Sequence, residues 1–468
     1  MHSSRRSFLR GVASVAGAVT ATSAAAGSTQ EVPRGRTGAS EPAAPDVPAD
    51  TLAAGVVPVL TPDIPQLPWR LEDGVKVFNI NVEHVRTQFI PGRVVDAWGF
   101  NGSVPGPTIQ VNEGDRVRLI VENRLPEPFS MHWHGLEIPN NMDGMPGISQ
   151  DPIAPGGRFV YEFPLKQNGT FFYHSHMAMQ EMMGLIGLFI IHPRRVHAPP
   201  VDRDFGIILQ EWALLPNNTI PNSLAMEFNW LTLNGKAGPA TTPMLVKLGE
   251  RVRIRIVNLG MDHHPMHIHG HQFQVTGTEG GRIQTTAVER GNTVLVGVAQ
   301  ARDVEFVADN EGDWHFHCHL PHHMMNQMAS MVGPIMMGHA AGMRPAGMEP
   351  GMGIVGGSAL GGDAAPAFGR ALGVGSEAQR PAPNMPLGQA PALAQPGRAE
   401  PNAGLFPGYP QDMFMVMDEA VAKPETYGLR RGWSGGTMGM MTIVRVLQPA
   451  LFDEIQQMKA EQARRAAV

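Results

Sequence analysis

Residues 312–319 read GDWHFHCH, and this stretch decides the fold because a related copy of it occurs earlier in the chain. Residues 169–176 read GTFFYHSH and align with it without a gap, 143 positions upstream. At an offset of 135 positions, residues 131–135 (MHWHG) align in the same way with residues 266–270 (MHIHG). Self-similarity that recurs in the same order is the signature of a repeated structural unit. The sequence therefore predicts two homologous domains.

The repeated segments carry the pattern of β-strands. Residues 116–121 (RVRLIV) and 251–256 (RVRIRI) alternate polar and apolar side chains, and Gly, Pro and Asn bound such stretches. Short alternating runs between turn residues are typical of β-sandwiches. Towards the C-terminus, residues 440–446 predict a strand and residues 451–467 an amphipathic helix. We therefore expect an all-β protein with one late helix.

Composition excludes several classes of protein. The 468 residues carry a formal net charge of −6, which offers no broad basic surface for nucleic acid. No interior apolar run is long enough to span a bilayer. A single cysteine, Cys318, excludes an intramolecular disulfide framework and a four-cysteine zinc site. Cys318 is therefore either an inert buried thiol or the centre of the chemistry.

Composition also divides the chain into segments. Ser4-Arg5-Arg6-Ser7-Phe8-Leu9-Arg10, a weak apolar run and Ala24-Ala25-Ala26 resemble a twin-arginine export signal, which predicts a periplasmic or otherwise extracytoplasmic protein. The predicted segments are a signal at 1–26, a linker at 27–74, domain 1 at 75–197, domain 2 at 198–337, a disordered Gly/Pro/Ala/Met-rich segment at 338–404 and a C-terminal extension at 405–468.

Four His-x-His pairs suggest a metal site. Residues i and i+2 of a strand face the same side, so each pair presents two imidazoles together. Imidazole binds both copper and zinc, and the pairs alone leave the metal open. The pairs are His132/His134, His174/His176, His267/His269 and His317/His319.

Cys318 favours copper. It lies between His317 and His319 and must face the opposite side of the strand. A thiolate joined by two histidines and a weak thioether is the ligand set of blue copper. The repeat alignment supports such a site in domain 2 only, because His264, Cys318, His323 and Met328 align with Phe129, Ser175, Gln180 and Leu185.

Together these motifs resemble the multicopper oxidase family, which includes laccases. The resemblance covers residues 75–337, and Asn101-Gly102 with Pro105-Gly106-Pro107-Thr108-Ile109 also matches the family's first domain. It implies two cupredoxin-like Greek-key β-sandwich domains and four copper ions per functional unit, which oxidise a reducing substrate and reduce dioxygen to water.

The resemblance also implies a role for each motif residue. The type 1 copper would be bound by His264, Cys318 and His323, with Met328 as the axial ligand, and the type 2 copper by His132 and His267. One type 3 copper would be bound by His134, His174 and His319, and the other by His176, His269 and His317. Asp143 corresponds to a proton-relay carboxylate. Two positions depart from the family, since Gln327 precedes Met328 where glycine is frequent, and Met324 follows His323 where an acid is frequent.

The spacing of the motifs resembles that of two-domain bacterial laccases. Only about ninety residues separate His174 from His264, too few for a middle domain. In such enzymes the copper cluster bridges two subunits, so the resemblance predicts a homotrimer with intersubunit clusters, a cyclic heterologous assembly.

Three alternatives stand beside the oxidase. A copper-sequestering protein without turnover would use the methionines that follow the second and fourth pairs. A copper nitrite reductase would need its blue site in the first domain, where Ser175 stands, and a zinc hydrolase leaves the His-Cys-His arrangement unexplained. The substrate stays open among phenolic donors, Cu(I), Mn(II) and Fe(II).

Overall fold

The computed structural model describes residues 55–177, 179–214, 218–326 and 416–466. In chain order, the first ten strands of this described part are β1 (Val59–Leu60), β2 (Trp69–Glu72), β3 (Val75–Ile90), β4 (Arg93–Phe100), β5 (Gly106–Asn112), β6 (Arg116–Asn123), β7 (Met131–His134), β8 (Arg158–Pro164), β9 (Gly169–Ser175) and β10 (Ile186–His192).

The remaining elements are β11 (Arg203–Trp212), β12 (Trp230–Leu233), β13 (Met244–Lys247), β14 (Arg251–Asn258), β15 (His264–Ile268), β16 (Phe273–Thr278), β17 (Gly281–Arg282), β18 (Glu289–Gly291), β19 (Thr293–Val296), β20 (Gln300–Val307), β21 (Gly312–Cys318), β22 (Met441–Leu447) and helix α1 (Pro449–Ala466). Short 3-10 turns connect some of them.

Two β-sandwiches result from these strands. In sandwich 1, a sheet of order β2-β3-β6-β8, with β4 on β3, packs on a sheet of order β5-β10-β9-β7. In sandwich 2, the sheet β1-β11-β14-β20-β16-β17, with β12 on β11 and β18 on β16, packs on β13-β22-β21-β15-β19. Alternate side chains of each strand fill the two cores, as in β7, where Met131 and Trp133 are buried and His132 and His134 face outward. The predicted all-β, two-sandwich fold is confirmed.

The pairing pattern repeats between the sandwiches. β3 pairs in parallel with β6 as β11 does with β14, and β5 pairs in parallel with β10 as β13 does with β22. Likewise β9 lies antiparallel between β7 and β10, as β21 lies between β15 and β22. β22 is therefore the counterpart of β10, and it completes sandwich 2.

This equivalence corrects two predicted boundaries. The predicted second domain ends at residue 337, but β22 is an integral strand of it, reached only after the low-complexity stretch that breaks the repeat offset. The predicted linker at 27–74 is also too long, since β1 and β2 pair with β11 and β3 and bury Val59. The predicted signal and the 338–404 segment lie outside the described residues.

The sandwiches share a buried interface. β10 is buried on both faces, with Phe189 and Ile191 in the core of sandwich 1 and Leu188 and Ile190 against β11 and β14. The buried Arg255 adds a polar link: it binds Asp204 of β11 through two nitrogens and donates to Thr170 of β9 at 2.7 Å. Apolar packing and a paired buried charge thus hold the two sandwiches together.

Helix α1 follows β22 directly. It buries Phe452 and Ile455 against Leu245 and Leu447 and leaves its other faces to solvent. Among the described residues, no helix has the length and apolar character needed to cross a membrane.

Candidate metal centre

The alternation of β21 separates two groups of ligand-type side chains. Cys318 is fully buried in the core of sandwich 2 and pairs in the sheet with Met266 of β15, while its neighbours His317 and His319 face the other side. On β15 the same alternation puts His264 into the core and His267 outside. One strand pair thus supplies side chains to two sites.

The buried group consists of Cys318, His264 and His323. The Sγ atom lies 3.6 Å from Nδ1 of His264 and 3.5 Å from Nδ1 of His323, and the two Nδ1 atoms lie 3.1 Å apart. Burial raises the pKa of the Cys318 thiol to about 12 and, with the nearby His264, lowers the pKa of His323 to about 4. His323 rather than the exposed His322 joins the group.

Carboxylates occupy the far side of both imidazoles. Nε2 of His264 lies 2.6 Å from Oε1 of the buried Glu211, and Nε2 of His323 lies 3.5 Å from Oδ2 of Asp262, whose side chain is 49% exposed. Burial acts to raise the pKa of Glu211, but His264 and the backbone N–H groups of Met261 and Asp262 outweigh it and the pKa is lowered. Neither carboxylate was predicted.

A methionine other than the predicted one adjoins Cys318. Met328 lies outside the described residues, whereas Met440 is fully buried in the same core cluster as Cys318. The Met440 carbonyl accepts from the Cys318 N–H at 3.0 Å, and the Met440 N–H donates to the His323 carbonyl at 2.8 Å.

A glycine makes this approach possible. Gly439 has φ of +63°, and a Cβ there would lie 2.2 Å from the His323 carbonyl oxygen. In sandwich 1, Gly184 and Leu185 occupy the equivalent places, since the Leu185 carbonyl accepts from Ser175 as that of Met440 does from Cys318. The Gly-Met dipeptide at 439–440 is one of six in the sequence, so the sequence alone did not single out this position.

The equivalent place in sandwich 1 is filled. Ser175 donates to Oε1 of Gln180 at 2.7 Å, and Gln180 donates in turn to the Pro128 carbonyl at 3.0 Å. Phe129 is fully buried beside them. These polar groups satisfy one another, and the position offers no ligand set.

The outward-facing histidines of sandwich 1 form one group. Nδ1 of His134 lies 3.4 Å from Nε2 of His174, and the His132 ring lies 5.3 Å from the rings of both His174 and His176. Ligand atoms of His132, His134 and His174 lie within 4.8 Å of one another. Burial, with the nearby His174 and His132, lowers the pKa of His134 to about 4.

The histidines of sandwich 2 form a second group. Nε2 of His269 lies 3.1 Å from Nε2 of His317, and the His267 ring lies 5.4 Å from that of His319. His315, two residues before His317, also packs its ring 5.7 Å from that of His269 and was not predicted. Its signal was the uninterrupted alternation of His315, His317 and His319.

All eight histidines of the four predicted pairs lie in one or the other of these two groups. In the described residues, no contact between rings connects the group on sandwich 1 with the group on sandwich 2. His176, His269 and His319 are exposed. Each group is therefore half of the predicted set of eight.

Asp143 lies beside the first group. Its backbone carbonyl accepts from Nδ1 of His132 at 2.8 Å, and its Oδ1 lies 3.5 Å from the same nitrogen. The carbonyl thus accepts from the ring N–H, and the carboxylate side chain is 36% exposed.

The donor chemistry of the buried group suits copper. A thiol and two imidazoles converge through Sγ and two Nδ1 atoms in an apolar core, beside a buried methionine. A set of thiolate, imidazole and thioether ligands binds copper in preference to hard cations such as Mg²⁺ and Ca²⁺. The residues present therefore fit a copper ion.

Comparison with known proteins agrees. Two family models described as multicopper oxidase match residues 81–196 and 215–333. The multicopper oxidase MmcO of Mycobacterium tuberculosis is 30% identical over 251 residues, 46% of this chain and 49% of that protein. The copper resistance protein A homolog of Pseudomonas syringae pv. tomato is 44% identical over 124 residues, 26% of this chain.

A solved structure is similar over most of its own length. The blue copper oxidase from Nitrosomonas europaea is 32% identical, with a TM-score of 0.50 over 54% of this chain and 81% of that one. By contrast, the chain spans about a fifth of the length of the copper-resistance relatives that it matches (21%). The two family matches together cover half of the chain and each contains two of the four histidine pairs, so the chain belongs to the multicopper oxidase family.

Proposed function

We propose that this protein couples the one-electron oxidation of a reducing substrate to the four-electron reduction of dioxygen to water. The observation that carries the proposal is the position of Cys318, which joins the buried ligand group to the outward-facing histidines through a single tripeptide. Copper bound at these residues would supply the one-electron steps and the reduction of dioxygen.

The ligand roles follow the family pattern. In this proposal, type 1 copper is bound by His264, Cys318 and His323; type 2 by His132 and His267; and the type 3 pair by His134, His174 and His319 on one side and His176, His269 and His317 on the other. The separation of Cys318 from His267 and His317, which lie on the other face of the same sheet, supports this division.

We assign the axial thioether to Met440 in place of Met328. Met440 contacts the backbone of both Cys318 and His323, and it is preceded by Gly439, as is frequent in the family. Met266 is also buried near Cys318, but its counterpart Met131 fills the core of sandwich 1, which has no cysteine. Met440 instead stands where sandwich 1 has Leu185. This methionine, like His264, Cys318 and His323, therefore has no counterpart of the same residue type in sandwich 1.

The chain itself provides the path and a proton site. Bonds of the backbone connect Cys318 to both His317 and His319, which gives an electron arriving at Sγ a through-bond route to the opposite face. Asp143 holds its carboxylate beside His132, and in the copper-loaded protein it would serve as the proton donor near these histidines.

The two half-sets support a trimer. His132, His134, His174 and His176 face outward on sandwich 1, and the second set faces outward on sandwich 2 without contact between them. We therefore place each complete cluster between sandwich 1 of one subunit and sandwich 2 of the next, with three subunits closing a ring. The twin-arginine motif at residues 4–10 supports export to the periplasm or beyond.

The carboxylates favour a metal-ion substrate over a phenol. Asp262 reaches from solvent to Nε2 of His323, and Glu211 supports the neighbouring His264. A negative group at this entrance attracts Cu(I), Mn(II) or Fe(II) and gives no advantage to a neutral phenol. The similarity to a copper resistance protein A homolog supports copper as the metal ion that is oxidised.

The rivals explain less. A copper-sequestering protein accounts for the metal ligands and for that similarity, but it needs no His-Cys-His connection between two sites. A nitrite reductase would need a blue site in sandwich 1, where Ser175 and Gln180 bind each other. Oxygen consumption separates the first rival from the oxidase.

The oxidase is tested by oxygen uptake of the copper-loaded protein with Cu(I), Mn(II), Fe(II) and a substituted phenol. Cys318→Ser removes the thiolate, so we expect loss of the blue absorption and of turnover while the type 2 copper signal persists. Inactivity of the parent protein towards all four donors would contradict the function, and a blue Cys318→Ser variant would contradict the ligand assignment.

The axial assignment is tested by Met440→Leu. Loss of a donor sulfur disfavours the oxidised ion, so we expect the reduction potential of the blue site to rise by roughly 60 mV or more. For a one-electron couple, about 60 mV corresponds to a tenfold change in the equilibrium constant of reduction. Spectroelectrochemical titration measures the potential. The matched variant Met328→Leu should leave the potential unchanged, and the opposite outcome for the two variants would restore Met328.

The metal-ion preference is tested by Asp262→Asn. We expect the ratio of kcat/KM for Mn(II) or Fe(II) to that for a phenol to fall about tenfold, which corresponds to about 1.4 kcal/mol of lost attraction. Glu289→Gln, an exposed charge change on the same sandwich, serves as the control. An unchanged ratio would show that Asp262 takes no part in substrate choice.

The intersubunit cluster is tested by mixing two inactive chains. One carries His132→Ala and His134→Ala, and the other carries His267→Ala and His269→Ala, so neither can form a complete cluster alone. Co-expressed chains that assemble at random should regain about a quarter of the parent activity in a trimer seen by sedimentation velocity. Clusters formed within one chain would give no recovery.

A further inference from the structure

Glu181 contacts a histidine of sandwich 1 from the side opposite to the cluster. Its Oε1 lies 2.9 Å from Nδ1 of His174, whose side chain is 5% exposed. The same nitrogen lies 2.8 Å from the Ser175 carbonyl oxygen. Both neighbours are acceptors, so the ring proton is placed on Nδ1 and Nε2 is left free to face His134.

Among the described residues of sandwich 2, no carboxylate contacts the equivalent histidine. His317 is the counterpart of His174, and its Nδ1 lies 2.8 Å from the Cys318 carbonyl oxygen, as in the first copy. At the position aligned with Glu181, however, sandwich 2 has Met324. The backbone acceptor is therefore common to both copies, and the carboxylate is an addition to the first.

The loop that carries Glu181 is fixed at both ends. Gln180 is anchored by Ser175 and the Pro128 carbonyl, and the short 3-10 turn Glu181–Met183 ends at Gly184. Gly184 has φ of +114°, and a Cβ there would lie 2.7 Å from the Trp98 carbonyl oxygen. The carboxylate is thus held in place beside His174, although 34% of its side chain is exposed.

We propose that Glu181 is a positioning residue that holds His174 in its Nδ1–H form and strengthens copper binding by the histidines of sandwich 1. The inference rests on the proposed copper function of those histidines. A carboxylate on the far nitrogen of a ligating imidazole fixes its tautomer and raises the basicity of the other nitrogen. The two sandwiches would then contribute unequally to the cluster that they share.

The experiment compares copper retention by full-length parent protein, Glu181→Gln and Glu181→Ala during competition with a graded series of copper chelators. We expect both variants to lose copper from the histidine cluster to chelators whose affinity for copper is about 10- to 100-fold lower than the affinity needed to remove it from the parent. The blue absorption at Cys318 should stay the same. Glu127→Gln, an exposed change of the same charge on sandwich 1, should behave as the parent.

The outcomes separate the two proposals. If the parent holds no copper beyond that at Cys318, the proposed function fails. If the parent loads fully and either variant, with an unchanged thermal unfolding midpoint of its metal-free form, retains copper as the parent does, the role of Glu181 is refuted. A fold defect in one variant leaves the other to decide, because Gln keeps the size of the side chain and Ala removes it.

Discussion

The alternation of side chains along β21 is the constraint on which both candidate sites depend. Because successive residues of a strand face opposite sides, Cys318 must enter the core when His317 and His319 leave it. The core side provides a buried environment for a thiol and two imidazoles, and the outer side carries the buried His317 and the exposed His319. Three consecutive residues thus connect two environments that differ in polarity and exposure.

Duplication of the sandwich explains how one copy was free to lose its buried site. The outer histidines lie in, or directly after, the paired strands β7 and β9 and the paired strands β15 and β21, and both copies have them. The core position is independent of that outer face, so Ser175, Gln180 and Phe129 can fill it without moving His174. A satisfied hydrogen-bonded pair stabilises the filled core, where an unpaired polar group would be costly.

The sequence alone predicted the features that follow from local periodicity. The repeat and the four histidine pairs follow from a period of two and from nearly constant offsets, and the structure brings two pairs together on each sandwich. Met440 was not among the predicted ligands because a long low-complexity stretch separates it from Cys318, and spacing along the chain favoured Met328, which lies outside the described residues. Its neighbour Gly439 became meaningful only when the approach to the His323 carbonyl was seen.

The carboxylates were missed for a different reason, and they divide the imidazoles into classes. Glu211 and Asp262 reach their histidines from β11 and from the turn before β15, which only tertiary packing brings together. Their exposure differs: Glu211 is buried and held by the backbone N–H groups of Met261 and Asp262, whereas the side chain of Asp262 is 49% exposed to solvent. In our proposal, Glu181 orients its histidine as Glu211 does, and its side chain is partly exposed as that of Asp262 is. All three carboxylates thus lie beside a ring nitrogen of a histidine, and what else each can do depends on how far its side chain is exposed to solvent.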